Sequence, residues 1–207
     1  MPVIALVGNK GGAGKTTLTV NLAVGLGRYG KVVILDTDPQ GSSTQWRSIA
    51  EDNSIPLVIS ATDNLVGEAN NLATNYDYVV VDCPPSVQAT QTLSILQVSE
   101  FALIPVQPSP FDLWASIHIE QAVFEARKNN PNLRAMLVIN QLEPRTMLSQ
   151  LMREALSEIK VPVADTAIRR RAVYRASALE GRSVYSMGKR GAEAVAELDL
   201  LLKEVIG

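Results

Sequence analysis

Residues able to do chemistry lie close to the start of the chain, where Lys10-Gly11-Gly12-Ala13-Gly14-Lys15-Thr16-Thr17 follows the apolar run Val3-Ile4-Ala5-Leu6-Val7. A strand that runs into a glycine-rich turn and then a helix is the setting in which successive backbone N–H groups converge on phosphate oxygens, aided by the partial positive charge of the helix N-terminus. Gly11, Gly12 and Gly14, with Ala13 between them, permit the curl. Lys15 would reach β- and γ-phosphates, the Thr16 hydroxyl would ligate Mg²⁺, and Thr17 would contact the α-phosphate region. The general pattern G-x-x-x-x-G-K-[ST] asks for glycine at position 9; here Asn9 occupies it, and an additional lysine, Lys10, precedes the paired glycines.

Two further runs end in carboxylates. Val33-Ile34-Leu35-Asp36-Thr37-Asp38-Pro39-Gln40 puts two acids at the C-terminal edge of a strand, where open α/β sheets bind ligands, and strand alternation points Asp36 and Asp38 to one side. Tyr78-Val79-Val80-Val81-Asp82 closes a second apolar run with one acid, suited to hold Mg²⁺ through a water. Each acid has a plainer alternative, capping the loop or helix that follows.

The elements that must position these residues follow from the alternation of short Val/Ile/Leu runs with longer segments of helical period. That pattern predicts an α/β fold with a mainly parallel central sheet flanked by helices on both faces. Strands are expected near Val3–Val7, Val32–Leu35, Pro56–Ile59, Tyr78–Asp82, Phe101–Val106 and Arg134–Asn140. Helices are expected near Thr16–Arg28, Asp63–Asn75, Ala89–Gln97, Leu113–Lys128, Met147–Ile159, Arg171–Leu179 and Gly191–Val205.

With 207 residues, 46% of them hydrophobic, the chain suffices for one core, and residues 1–207 read as a single domain. Its 19 basic and 21 acidic residues nearly cancel, so total charge suggests no nucleic-acid partner. The lone Cys83 cannot form an internal disulfide, in keeping with a reducing cytoplasm. The N-terminus lacks the features of a signal peptide, and no apolar run approaches the roughly 20 residues that span a bilayer. Because the phosphate loop begins so early, no DNA-reading domain is expected before it. His118, Tyr174, Tyr185 and Cys83 read as core or helix residues.

The distribution of charge is more telling than its sum. Between Lys160 and Arg190 stand eight basic residues and two acids, a net +6 in a chain whose total is −2. Such a segment binds phosphate backbones without reading sequence, since neutralised phosphates release counterions whatever the bases are. The competing reading is a solvated helical face whose arginines pair with acids from elsewhere in the chain.

Taken together, Lys10-Gly11-Gly12-x-Gly14-Lys15-Thr16-Thr17, Asp36-x-Asp38-Pro39-Gln40, Asp82-Cys83-Pro84-Pro85 and Ile104-Pro105-Val106-Gln107-Pro108-Ser109-Pro110 resemble the ParA/MinD family of deviant Walker ATPases, whose fold is that of the P-loop NTPases. The resemblance is nearest to the short ParA-type proteins and covers most of the chain. It implies ATP and Mg²⁺ as ligands and a homodimer in the ATP state, with Lys10 reaching across to phosphates held by the other subunit. It further implies that Asp38 positions the attacking water, that Asp36 and Asp82 support Mg²⁺, and that Asn140 contacts adenine. ParA-like dimers bind nonspecific duplex DNA through basic residues in this C-terminal part, which points to Arg169, Arg170, Arg171 and Arg175. A nucleoid-associated ATPase that partitions or positions a cargo follows, with a ParB-like or other adaptor stimulating hydrolysis.

Other members of the superfamily fit less well. A MinD-like membrane helix is disfavoured because Gly191–Gly207 carries four acids and one lysine, a face that anionic lipid repels. Relatives of the nitrogenase iron protein need more cysteines than one. Metabolic ligases of the dethiobiotin and cobyrinate synthetase type remain the enzymatic rival, though they are expected to lack Lys10 and the basic segment.

Overall fold

The strands VIAL and VVILD are buried along their whole length and YVVVD from its second residue on, as continuous apolar runs must be when both faces of a sheet are covered. The computed structural model describes residues 2–51, 54–143, 146–156 and 159–207. Its strands are β1 (Val3–Leu6), β2 (Val32–Asp36), β3 (Leu57–Ser60), β4 (Tyr78–Asp82), β5 (Phe101–Val106) and β6 (Arg134–Ile139), forming one sheet in the order β3-β2-β4-β1-β5-β6. Every pairing is parallel.

The helices are α1 (Lys15–Leu26), α2 (Ser42–Ile49), α3 (Leu65–Asn75), α4 (Thr90–Leu96), α5 (Pro110–Asn129), α6 (Met147–Leu156), α7 (Ala172–Leu179) and α8 (Ala192–Ile206). Alternation along each strand splits the core in two. Val3, Ala5, Val79, Val81, Ala102 and Ile104 face one cluster, closed by Leu72 of α3, Ile95 of α4, Val123 of α5 and Met152 of α6. Ile4, Leu6, Ile34, Val80 and Leu103 face the other, closed by Leu22 of α1, Trp46 of α2, Val173 of α7 and Leu198 of α8. At about 1.5–3 kcal/mol for each large apolar side chain fully buried, these layers dominate the fold's stability.

The expected sheet and its flanking helices are therefore present, with one omission and several shifted ends. Sequence reading missed α2, a mostly polar helix that buries only Ser43 and Trp46. Proline at the first position of α5 starts that helix three residues before its expected Leu113, as a residue with fixed φ and no N–H does at N1. The expected end of α6 at Ile159 passes through residues 157 and 158, which lie outside the described residues.

Strand order sets the location of the site. From β1 the chain crosses to β2, skipping β4, and from β4 it crosses to β5, skipping β1. The order reverses around the central β1–β4 pair, and the crevice beyond the carboxyl ends of such strands is where ligands bind. The loop after β1 and Asp82 at the end of β4 both open there.

Candidate nucleotide site

The loop after β1 takes the backbone conformations that phosphate binding needs. Gly12 (φ 81°) and Gly14 (φ 92°) are left-handed, and Gly14 occupies the N-cap position of α1. Lys15, the first residue of α1, is 6% exposed, and its Nζ donates to the Lys10 carbonyl oxygen at 3.2 Å. Burial lowers its pKa, opposed by the charges of Asp82 and Asp38, so both acids lie within electrostatic reach of the ammonium. Lys10 is exposed at the loop's rim. Asn9 has a bridging role that glycine cannot fill: its Oδ1 accepts from the Val87 N–H at 3.5 Å, joining the loop to the β4–α4 connection.

Asp82 and Asp36 stand side by side, paired in register across β4 and β2. Asp82 is buried among hydroxyls. Its Oδ2 accepts from Ser43 at 2.7 Å and its Oδ1 from Thr19 at 3.4 Å, with Thr16 bonded as well. Burial pushes its pKa up to about 6; Ser43, Thr16 and Lys15 work against that rise, and Asp36 adds to it. The Asp82 carboxylate and the hydroxyls around it offer the oxygen donors that a hard divalent cation takes.

Asp36 is itself engaged by protein donors. Its Oδ2 accepts from the Thr44 N–H at 2.9 Å and the Thr44 hydroxyl at 2.8 Å, and its Oδ1 from the Asp38 N–H at 3.3 Å. Gly41, at the N-cap of α2, has no side chain to satisfy the helix's first N–H groups, and Asp36 does so from β2. The capping alternative therefore describes what Asp36 does here, while Asp82 ties the same helix through Ser43. The half-buried Asp38 accepts at Oδ1 from the Gln40 N–H at 2.9 Å, an Asx turn that fixes the carboxylate beyond the strand end.

Three carboxamides hold the loop's carbonyl groups; sequence reading singled out Asn140 for another role and gave none to Gln107 or Gln141. Gln107 Nε2 and Gln141 Nε2 both donate to the Gly12 carbonyl, at 2.6 and 2.9 Å. Asn140 Nδ2 donates to the Ala13 carbonyl at 2.7 Å. The amide nitrogen of Asn140, expected at adenine, is thus turned to the loop backbone. Gly14 makes that approach possible, since a Cβ there would lie 2.3 Å from Asn140 Nδ2.

Beside the loop lies a 330 Å³ pocket lined by Thr17, Leu18, Asn140, Ile168, Tyr174 and the arginines 169, 170, 171 and 175. It adjoins the N-terminus of α1 and has the apolar walls a purine needs. The basic segment therefore abuts the loop. Most of it is paired with acids: Arg170 with Glu143 at 2.6 Å, Arg169 with Glu197 at 3.6 Å, and Arg171 with Glu193 and, at 2.6 Å, with Glu197. Arg175 is exposed and has no ion-pair partner among the described residues. Arg171 and Glu197 are 19% and 15% exposed, so their bridge pins the start of α7 to α8. Arg171→Ala should cost about 1.5–3 kcal/mol of stability, the usual worth of hydrogen bonds to charged groups. Urea unfolding checks this; a loss below about 0.5 kcal/mol would place the bridge among the surface pairs that contribute little.

The other singled-out residues are structural. Cys83 and Tyr174 are core, Tyr185 donates to Asp199 Oδ1 at 2.7 Å, and His118 is an exposed residue of α5. Among the described residues no helix is long and apolar enough to cross a membrane.

A left-handed glycine loop with a buried lysine at a helix N-terminus, opposite strand-end carboxylates at the switch point of a parallel sheet, defines a nucleotide-binding domain of the P-loop class. The family described as the CobQ/CobB/MinD/ParA nucleotide binding domain matches residues 4–184, and the chain belongs to it. It is 42% identical to the maintenance of carboxysome distribution protein A of Halothiobacillus neapolitanus over 98% of this chain and 95% of that protein. It is 32% identical to the chromosome-partitioning ATPase Soj of Thermus thermophilus over 71% and 72% of the two chains. Among solved structures, apo McdA of Cyanothece superposes with a TM-score of 0.83 at 17% identity, covering 100% of both chains. An ATP complex of a substituted Cyanothece McdA gives 0.76 at 16%, covering 99% of this chain and 95% of that one. MinD of Pyrococcus horikoshii with Mg-ADP gives 0.73 at 23%, covering 96% and 94%.

Proposed function

We propose that this chain is an ATP-dependent positioning ATPase that distributes a protein-based cargo of the carboxysome kind. The observation that carries the reading is the gathering of Lys15, Asp38 and Asp82 around one glycine loop. Full-length similarity to a carboxysome-distribution protein supports the choice of cargo over a plasmid or chromosome. ATP with Mg²⁺ is the ligand pair, in keeping with the nucleotide and magnesium bound by the solved relatives.

Thr16 and Asp82 would hold Mg²⁺, with Asp36 acting beside them by fixing α2, and the ion would supply neutralisation of phosphate charge. Loop N–H groups and Lys15 bind the phosphates, Thr17 the α-phosphate region. Asp38 orients the attacking water, and Lys10 of a second copy neutralises charge developing on the transferred group, as an arginine finger does. The nucleotide is thereby part of a homodimer interface. A partner adaptor completes the cycle by stimulating hydrolysis, and the protein acts in the cytoplasm on the nucleoid.

Nonspecific duplex DNA is the proposed track. With Arg171 and Arg169 engaged by Glu197, the backbone contacts fall first to Arg175 and the rim of Arg170, with Arg169 and Arg171 contributing where their pairs open. An ATP-held dimer doubles the contacts on one duplex, and each contact contributes a salt slope of roughly 0.9. Fluorescence anisotropy with a random duplex should find binding with ATP, much weaker binding with ADP, and a shallower salt dependence for Arg170→Ala/Arg175→Ala. Equal affinity with both nucleotides, or unaltered binding by the double variant, would overturn DNA as the track.

A further inference from the structure

We propose that Gln107, Gln141 and Asn140 are positioning residues that hold the phosphate loop by its carbonyl groups and so aim its N–H groups at the nucleotide. The inference rests on the nucleotide reading above and concerns how the loop is kept ready.

In a trans peptide the C=O and the following N–H point in opposite directions. The Gly12 carbonyl is held by Gln107 and Gln141, and the Ala13 carbonyl by Asn140. Each restraint turns an N–H the other way: that of Ala13 in the first case, that of Gly14 in the second. These are two of the donors a phosphate would meet. The clamp thus performs, before any nucleotide arrives, part of the ordering that binding must otherwise supply.

Two features mark the arrangement as specific. Gln141 is the only residue other than glycine with positive φ among the described residues, at 56°, and its side chain is the one that reaches Gly12. Gly14 has no Cβ where Asn140 Nδ2 sits, so the clamp and the glycine require each other. The three amides come from the ends of β5 and β6, whereas Asp36 and Asp82 close the site from β2 and β4. The central loop is gripped between the two sides.

A carbonyl oxygen accepts two hydrogen bonds, and either glutamine alone can keep the Gly12 carbonyl turned. The test is calorimetric titration of MgADP into Gln107→Met, Gln141→Met and the double variant, with the melting midpoint and the KM and kcat for ATP measured alongside. Each single substitution should weaken MgADP by no more than about threefold. The double should weaken it by about tenfold or more, exceeding the product of the singles because the two share one acceptor. KM should rise more than kcat falls, with the melting midpoint within a few degrees of the parent. Parental affinity in the double variant, or a loss equal to the product of the singles, would overturn the clamp. No MgADP binding by the unaltered chain would instead overturn the nucleotide reading itself.

Discussion

Lys15→Ala should abolish productive nucleotide binding. The parent side chain is buried at the head of α1, with the loop backbone around it and Asp82 and Asp38 within electrostatic range. A phosphate entering the loop would exchange the Lys10 carbonyl, now bonded to Nζ at 3.2 Å, for a far stronger acceptor. Removing one partner of a desolvated charge pair costs about 2–5 kcal/mol, roughly a 30-fold to several thousand-fold loss of affinity. The loss should be similar for ADP and for a nonhydrolysable ATP analogue, because the lysine acts on ground-state phosphates. Titration calorimetry decides; an affinity within about threefold of the parent would remove Lys15 from the site.

Asp38→Ala should have the opposite profile, with nucleotide affinity nearly kept and turnover lost. Asp38 lies beyond the end of β2, is half-buried, and is held by its bond from the Gln40 N–H. Among the described residues its carboxylate caps no helix and bridges no strands, so its loss should cost only about 1 kcal/mol of stability. A group that positions the attacking water acts in the transition state alone, and such groups contribute about 10²- to 10⁴-fold in rate. Single-turnover hydrolysis should fall by that factor while the dissociation constant for MgATP moves less than about threefold. Hydrolysis at the parental rate would mean that another group orients the water.

Much of this was legible in the sequence, for a physical reason. β1, β2 and β4 are buried on both faces, so their apolar runs are continuous, and the acids that end β2 and β4 mark the sheet's ligand edge. The glycines of the loop announce left-handed backbone that other residues avoid. What escaped depends on partners far along the chain. α2 is short and mostly polar, and is tied at its N-terminus by Asp36 and Asp82 from two different strands. Arg171 meets Glu193 and Glu197 only because α8 folds back over α7. Asn140 sits where an adenine contact was expected, yet its amide nitrogen is drawn to Ala13, a contact 127 residues away that no local pattern encodes.

Nucleotide-dependent association is the central claim, because in the proposed dimer γ-phosphate contacts made by Lys10 of the opposite subunit would separate an ATP state from an ADP state. Multi-angle light scattering on the Asp38→Ala variant tests it most directly, since that variant is expected to hold ATP without consuming it. With MgATP the mass should be twice that of the 22.4 kDa chain, and with MgADP it should fall toward that of the single chain. The same mass with both nucleotides would contradict the account.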